Sequence, residues 1–290
     1  MSRLALGTVQ FGLKYGVTNN IGKVKESTAA EILKIAKDND IKTLDTAIGY
    51  GVSESVLGNK NINSFDIISK IPPLKNNTDI ESWVNFEVGA SLERLSQKFL
   101  HGILLHNPDD LFSISGYALY KSMLKLKEKG LVKNIGISVY SPHQLEKIFL
   151  EYKYGFDIVQ APLNIIDRRM HDSGWITKLN EMRVKVHIRS VFLQGLLLLK
   201  KEDIPVKFKK WENIWNDWEQ YIQVNNINPI EACLSYPLSL SNVDKVIVGV
   251  QNPSQLDQII NASKIIIDQN LPNIQSDDNN LINPSNWNKL

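Results

Sequence analysis

Short apolar runs alternate with longer stretches whose apolar positions recur every three or four residues, almost from one end of the chain to the other. The first pattern suits a strand buried on both faces, the second a helix with one buried face. Their alternation predicts βαβ units around a parallel sheet. The strand candidates are residues 4–9, 41–46, 65–70, 101–106, 132–138, 156–161, 184–190 and 243–249. Helical patterns fill the gaps. In STAAEILKIAKDND, Ser27 is a cap candidate and Ile32, Ile35 and Ala36 share a face. SPHQLEKI places Ser141 as cap and Pro142 at the first helical position, and NPSQLDQIINAS repeats this with Asn252 and Pro253.

Eight such units can close into a barrel or lie open as a doubly wound sheet. The even spacing of the strands favours the barrel. So does the first strand's exit: GTVQFG has its glycines in the wrong places for the G-x-G-x-x-G turn of a dinucleotide-binding open sheet. The expectation is a single (β/α)8 TIM barrel over 1–290. A longer insertion, 199–220, precedes the last strand, and an irregular Asn-rich tail runs from about Gln269 with Trp287 as a possible anchor. Trp211, Trp215 and Trp218 recur at helical spacing in the insertion, as core or as pocket lining.

Composition removes several function classes. The 290 residues carry a net charge of +2 without a strong basic or acidic block, so neither nucleic acid nor an anionic membrane is expected as a partner. No apolar stretch is long enough for a membrane span, and the first residues lack the features of a secretory signal. The one cysteine, Cys233, sits in an apolar helical run and allows no internal disulfide, which suits a cytoplasmic protein. His101, His143, His171 and His187 show no metal-ligand spacing, and no metal site is expected.

In a barrel, reacting groups stand at the C-terminal ends of strands. Those ends carry Asp45, Lys70, His106, Ser138, Gln160, Arg189 and Ser190, and Tyr50 follows Asp45 by one short loop. Asp45 can pair with Lys70. A nearby ammonium is expected to lower the pKa of the Tyr50 phenol, and His106 can hydrogen-bond a carbonyl oxygen. Together they would polarise a C=O group and protonate its oxygen, with the hydride supplied by a cofactor. The same lysine, if free of Asp45, would instead suit a Schiff-base lyase.

The motifs LGTVQFG, DTAIGYG-x-SE-x-x-LG, ISK and LLHNPD resemble the successive signatures of the aldo-keto reductase superfamily over about 4–262. The resemblance implies a catalytic tetrad in which Tyr50 is the general acid/base, Lys70 and Asp45 tune it, and His106 helps bind the carbonyl. It also implies a nicotinamide cofactor. Gly7, Thr8 and Asp45 would stand at the start of its site. Ser138 and Gln160 would hold the carboxamide, and Val139 replaces the usual Asn beside Ser138. Arg189 takes the place of a stacking Tyr, with Phe192 nearby. Ser190, Gln194, Gly195 and Leu196 match the pyrophosphate loop. Gly249, Val250, Gln251, Ser254 and Gln258 match the adenosine-phosphate segment. The family implies NADP(H) in preference to NAD(H), although Gln251 is neutral where many relatives carry Arg or Lys. A small-molecule aldehyde or ketone, with a sugar-derived carbonyl as one form, is the implied substrate, and a monomer or small homo-oligomer the implied assembly. A cofactor-binding regulatory subunit with little turnover is the other reading the family allows.

Overall fold

The computed structural model describes residues 2–75, 79–265, 267 and 270–290. Among them, eight parallel strands pair in chain order and close: β1 (Leu4–Gly7), β2 (Thr43–Asp45), β3 (Asp66–Ile71), β4 (Leu100–Leu105), β5 (Val132–Ser138), β6 (Ile158–Pro162), β7 (Lys185–Arg189) and β8 (Lys245–Gly249). β8 returns to β1 with Leu4 opposite Val246 and Gly7 opposite Gly249. The fold is the (β/α)8 barrel that the alternation predicts, and one hydrophobic cluster runs between the strands and the surrounding helices.

Successive side chains on a strand point to opposite faces, so every second residue fills the barrel. Ile68, Leu104 and Ile158 form a separate buried cluster. Glycines make room for them: a Cβ on Gly102 would stand 2.8 Å from Ile68 and 3.0 Å from Ile158, and one on Gly136 would stand 2.5 Å from Leu104. Two residues further along the same strands, on the same face, come Lys70, His106 and Gln160. The filled interior thus forms the floor on which the site stands.

β5 matches its predicted bounds, and the other strands differ from theirs by a residue or two, for local reasons. The first ends at Gly7 because the chain turns into the short helix Val9–Gly12. The second starts late because the Ile41 amide bonds back to the Ala36 carbonyl, completing the preceding helix. Ser27 is not the cap of that helix, which begins at Glu26 with Lys25 in the cap position and no side-chain cap bond. Asn252 does cap the Pro253–Ala262 helix through the Gln255 amide. Ser141 precedes Pro142 as expected but makes no capping bond.

The insertion forms short 3₁₀ turns and the helix Glu212–Asn225. Its Trp215 and Trp218 are core: their indole N–H groups donate to the carbonyls of Phe208 (2.8 Å) and Leu197 (3.1 Å). Gln269, where the tail reading begins, lies outside the described residues. Beyond it the tail is more regular than expected, with helical turns at Asn279–Ile282 and Pro284–Lys289. Trp287 anchors it, buried edge-on against Phe208 at 4.7 Å between ring centroids. Among the described residues no helix is long and apolar enough to cross a membrane, and no cluster of metal-ligating side chains forms. Cys233 is buried, and burial pushes its thiol above the usual range, as suits a packing residue.

His187 faces the barrel interior on the same side of β7 as Arg189, with its Nδ1 buried and unpartnered. Burial first, then the positive charges of Lys245 and Lys185, lower its pKa from 6.5 to about 3. The unfolded chain therefore takes up this proton near pH 6.5 while the folded chain refuses it until about pH 3. Stability is lost as pH falls through that window, at up to about 1.4 kcal/mol per pH unit from this group. His187→Met is expected to flatten the pH dependence of the urea-unfolding free energy over the same window. An unchanged slope would show that His187 is not the group responsible.

Candidate active site

At the C-terminal mouth of the barrel the structure opens a cleft of about 600 Å³. Its centre is a carboxylate shared by two strands. Asp45, at the end of β2, accepts a hydrogen bond from the Lys70 ammonium of β3 at 2.6 Å and another from the Gln160 amide of β6 at 2.7 Å. Lys70 also donates to the Thr46 carbonyl at 2.9 Å and is fully buried. Gln160 in turn lies 3.5 Å from the Ser138 hydroxyl. Burial lowers the pKa of Lys70, and the Asp45 carboxylate opposes that shift. With both oxygen partners in place the amine is not the free nucleophile that a Schiff-base enzyme needs.

Tyr50 is delivered to this centre by a tightly fixed loop. Ser53 donates to the Thr8 carbonyl at 2.9 Å, and Thr8 donates to the Asp45 carbonyl at 3.0 Å, which ties the loop to the ends of β1 and β2. The Ile48 amide bonds to the Lys70 carbonyl at 3.1 Å. Gly12 lies against the turn from the other side: a Cβ there would fall 1.7 Å from the Tyr50 carbonyl oxygen. The Lys70 ammonium sits 5.1 Å from the centre of the Tyr50 ring. The His106 ring meets the same ring edge-on at 5.6 Å.

The electrostatics correct one expectation. Lys70 does not make the phenol more acidic overall. Burial first, and then the Asp45 charge, raise the Tyr50 pKa above its ordinary value, with Arg189 pulling weakly the other way. Burial and the Asp45 carboxylate both disfavour the phenolate, and the Lys70 ammonium lies closer to that carboxylate, at 2.6 Å, than to the centre of the phenol ring, at 5.1 Å. Tyr50 therefore keeps its proton at neutral pH. His106 is held neutral: burial, then Lys70, then Arg189 lower its pKa to about 3.

A second cluster fixes β3 from behind. Glu54, buried in the helix Ser53–Gly58, accepts from Ser69 and Ser91 at 2.6 Å each and from Arg94 at 2.8 Å. Ser69 is the chain neighbour of Lys70, while Ser91 and Arg94 belong to the helix Ile80–Leu95.

Of the residues singled out from the sequence, Gly7, Thr8, Asp45, Tyr50, His106, Ser138, Gln160, Arg189, Ser190, Phe192, Gln194, Gly195, Gly249, Gln251 and Gln258 line the one cleft, and Lys70 lies directly beneath it. Three do not reach it with their side chains. Leu196 and Val250 are buried in the core, and Ser254 is exposed outside the lining. The Arg189 guanidinium lies over the Tyr140 ring, 4.4 Å from its centre, and donates to the Val139 carbonyl at 2.9 Å.

Sequence reasoning missed Gln10, Tyr15 and Tyr140. Tyr140 follows Ser138 by two residues and was open to detection by the strand-end rule. Gln10 was not, since it is placed by barrel closure, which brings it against Gly249. Its Oε1 is buried without a partner at the cleft wall, an acceptor awaiting a donor. Tyr15 accepts from the Gln194 amide at 3.1 Å, so the loop after β1 touches the loop after β7 across the mouth. In that second loop Ser190, Leu193, Gln194 and Gly195 all have positive φ, a conformation that forms anion-binding concavities. A long cleft with an orphaned acceptor, a left-handed loop and a Tyr–Lys–Asp–His centre suits an extended polar cofactor beside a small carbonyl compound.

A model of the aldo/keto reductase family matches residues 3–272. The curated aldo-keto reductase YhdN of Bacillus subtilis (strain 168) is 29% identical over 188 residues, which cover 59% of this chain and 53% of that protein. The chain thus spans about half the length of the curated relative it matches. Among solved structures it is similar to the aldo-keto reductase AKR11C1 from Bacillus halodurans in its holo form (TM-score 0.71, 19% identity, 91% of this chain and 87% of that one). It is also similar to a Pseudomonas aeruginosa protein assigned to the aldo-keto reductases (TM-score 0.67, 22% identity, 90% and 89%). At these identities the structural likenesses bear on the fold alone.

The Gly12 contact yields a stability prediction. Gly12→Ala is expected to lower the unfolding free energy by about 3 kcal/mol, because the obstructing atom is backbone and cannot swing aside. Gly89→Ala, on a helix where an added Cβ meets nothing within 4 Å, serves as the control and should leave stability equal or slightly raised. Equal melting temperatures for Gly12→Ala and the parent would contradict the packing described.

Proposed function

Because the chain belongs to the aldo/keto reductase family, whose members are NAD(P)-dependent oxidoreductases, we propose that it reduces an aldehyde or ketone to an alcohol at the cleft centred on Asp45 and Tyr50. The observation that carries this reading is the shared carboxylate: Asp45 fixes Lys70 and Gln160 at once, beside the Tyr50 phenol and the His106 ring.

The residues that would hold the cofactor are Ser138 and Gln160 at its nicotinamide, the left-handed loop Ser190–Gly195 at its pyrophosphate, and Gly249 with Gln251 and Gln258 along its far portion. When bound, the nicotinamide supplies a hydride to the carbonyl carbon. The chain's own groups handle the oxygen. Neutral His106 offers a ring N–H to the carbonyl oxygen and orients it. As negative charge develops there, Tyr50 donates its phenolic proton to the same atom, and the nearby Lys70 ammonium stabilises the phenolate left behind. Asp45 acts through Lys70: its carboxylate opposes the lowering of the ammonium's pKa by burial. A phenol whose proton is retained at neutral pH is in the right form for a general acid.

Purified protein mixed with reduced nicotinamide cofactor and a panel of aldehydes and ketones should consume the cofactor's absorbance. Tyr50→Phe should cut kcat by about 10²–10⁴-fold while cofactor affinity, followed by fluorescence titration, is retained. Normal turnover by this variant would remove Tyr50 from the mechanism. Cofactor binding with no turnover on any carbonyl would favour a regulatory subunit.

A further inference from the structure

The cleft is poor in positive charge for a site read as holding a dinucleotide. Among its lining residues Arg189 is the one with a permanent positive charge. That guanidinium is committed: it lies over the Tyr140 ring and donates to the Val139 carbonyl at 2.9 Å and to the Ser190 hydroxyl at 3.3 Å. Lys70 is buried beneath the cleft and paired with Asp45, and His106 is neutral.

The rim beyond β8 is the part of the cleft left for the ribose remote from the reacting centre. There the polar side chains are the neutral amides of Gln251, Gln255 and Gln258. A helix N-terminus next to them, Pro253–Ala262, offers little in place of a cation. Pro253 has no N–H. The Gln255 N–H is taken by Asn252 at 2.9 Å, and the Gln251 N–H by the Gln255 side chain at 2.8 Å. The donors that a helix start ordinarily presents to a phosphate are thus largely satisfied from within. A ribose phosphate monoester, at close to two negative charges, would find here no cation and few free backbone N–H groups to meet it. A ribose hydroxyl, by contrast, is well matched to the side-chain amides of Gln251 and Gln258, which hydrogen-bond to no other described residue and can both donate and accept.

We propose that the cleft selects the dinucleotide with a free ribose 2′-hydroxyl, NAD(H), over its 2′-phosphorylated counterpart NADP(H), with Gln251 and Gln258 as the selecting residues. This rests on reading the cleft as a dinucleotide site, and it departs from the NADP(H) expectation that the family resemblance carries.

The test is a binding titration that needs no substrate. Intrinsic tryptophan fluorescence and calorimetry would each measure the Kd of NADH and of NADPH for the full chain. NADH is expected to bind at least about tenfold more tightly, and Gln251→Arg to strengthen NADPH binding by about tenfold or more, the span of a charge-assisted hydrogen bond. The melting temperature of Gln251→Arg checks that it is folded, and Gln258→Arg provides a second route to the same gain. NADPH binding by the parent chain as tightly as NADH, or more tightly, overturns the inference while leaving the reductase reading intact. Binding of neither dinucleotide overturns the reading of the cleft itself.

Discussion

A single buried carboxylate holds the mouth of this barrel together. Asp45 has two oxygens and gives one to the Lys70 ammonium and the other to the Gln160 amide, so three strands are pinned by one side chain. Each member needs the others. Without Asp45, Lys70 would be a buried ammonium with only the Thr46 carbonyl for company, and without Lys70 the carboxylate would be a buried charge against an apolar floor. The apolar floor makes the arrangement demanding, because it excludes the water that would otherwise screen these charges.

The floor also explains why so much was legible in the sequence. Parallel strands buried on both faces write themselves as short apolar runs, and the alternation of strand with helix left the barrel as the economical solution. Once strand ends are located, the period of two dictates which residues share the mouth, and Asp45, Lys70, His106 and Gln160 follow. Residues set by long-range closure were not legible. Gln10 owes its position to β8 folding back on β1, and the contact between Tyr15 and Gln194 joins loops 179 residues apart. Leu196 and Val250 show the converse: they lie in segments that match a motif, but motif matching says nothing about which way a side chain points.

Charge states were the least legible of all. A list of neighbours suggests that a lysine near a tyrosine acidifies it. The depth of burial and the negative charge of Asp45 reverse that outcome, and neither can be read from spacing. The same holds for His106 and His187, which titrate well below an ordinary imidazole because the barrel removes them from water.

The Glu54 cluster extends the constraint outward. This buried carboxylate depends on Ser91 and Arg94 for its partners and binds Ser69 of the strand that carries Lys70. The inner face of the Ile80–Leu95 helix is therefore not free to drift over evolutionary time. Substitutions there would strand a charge, whereas outward positions such as the exposed Phe86 carry no such debt. The helix should accumulate change along one stripe only, and its silent stripe would mark, from outside the barrel, the strand that bears the lysine.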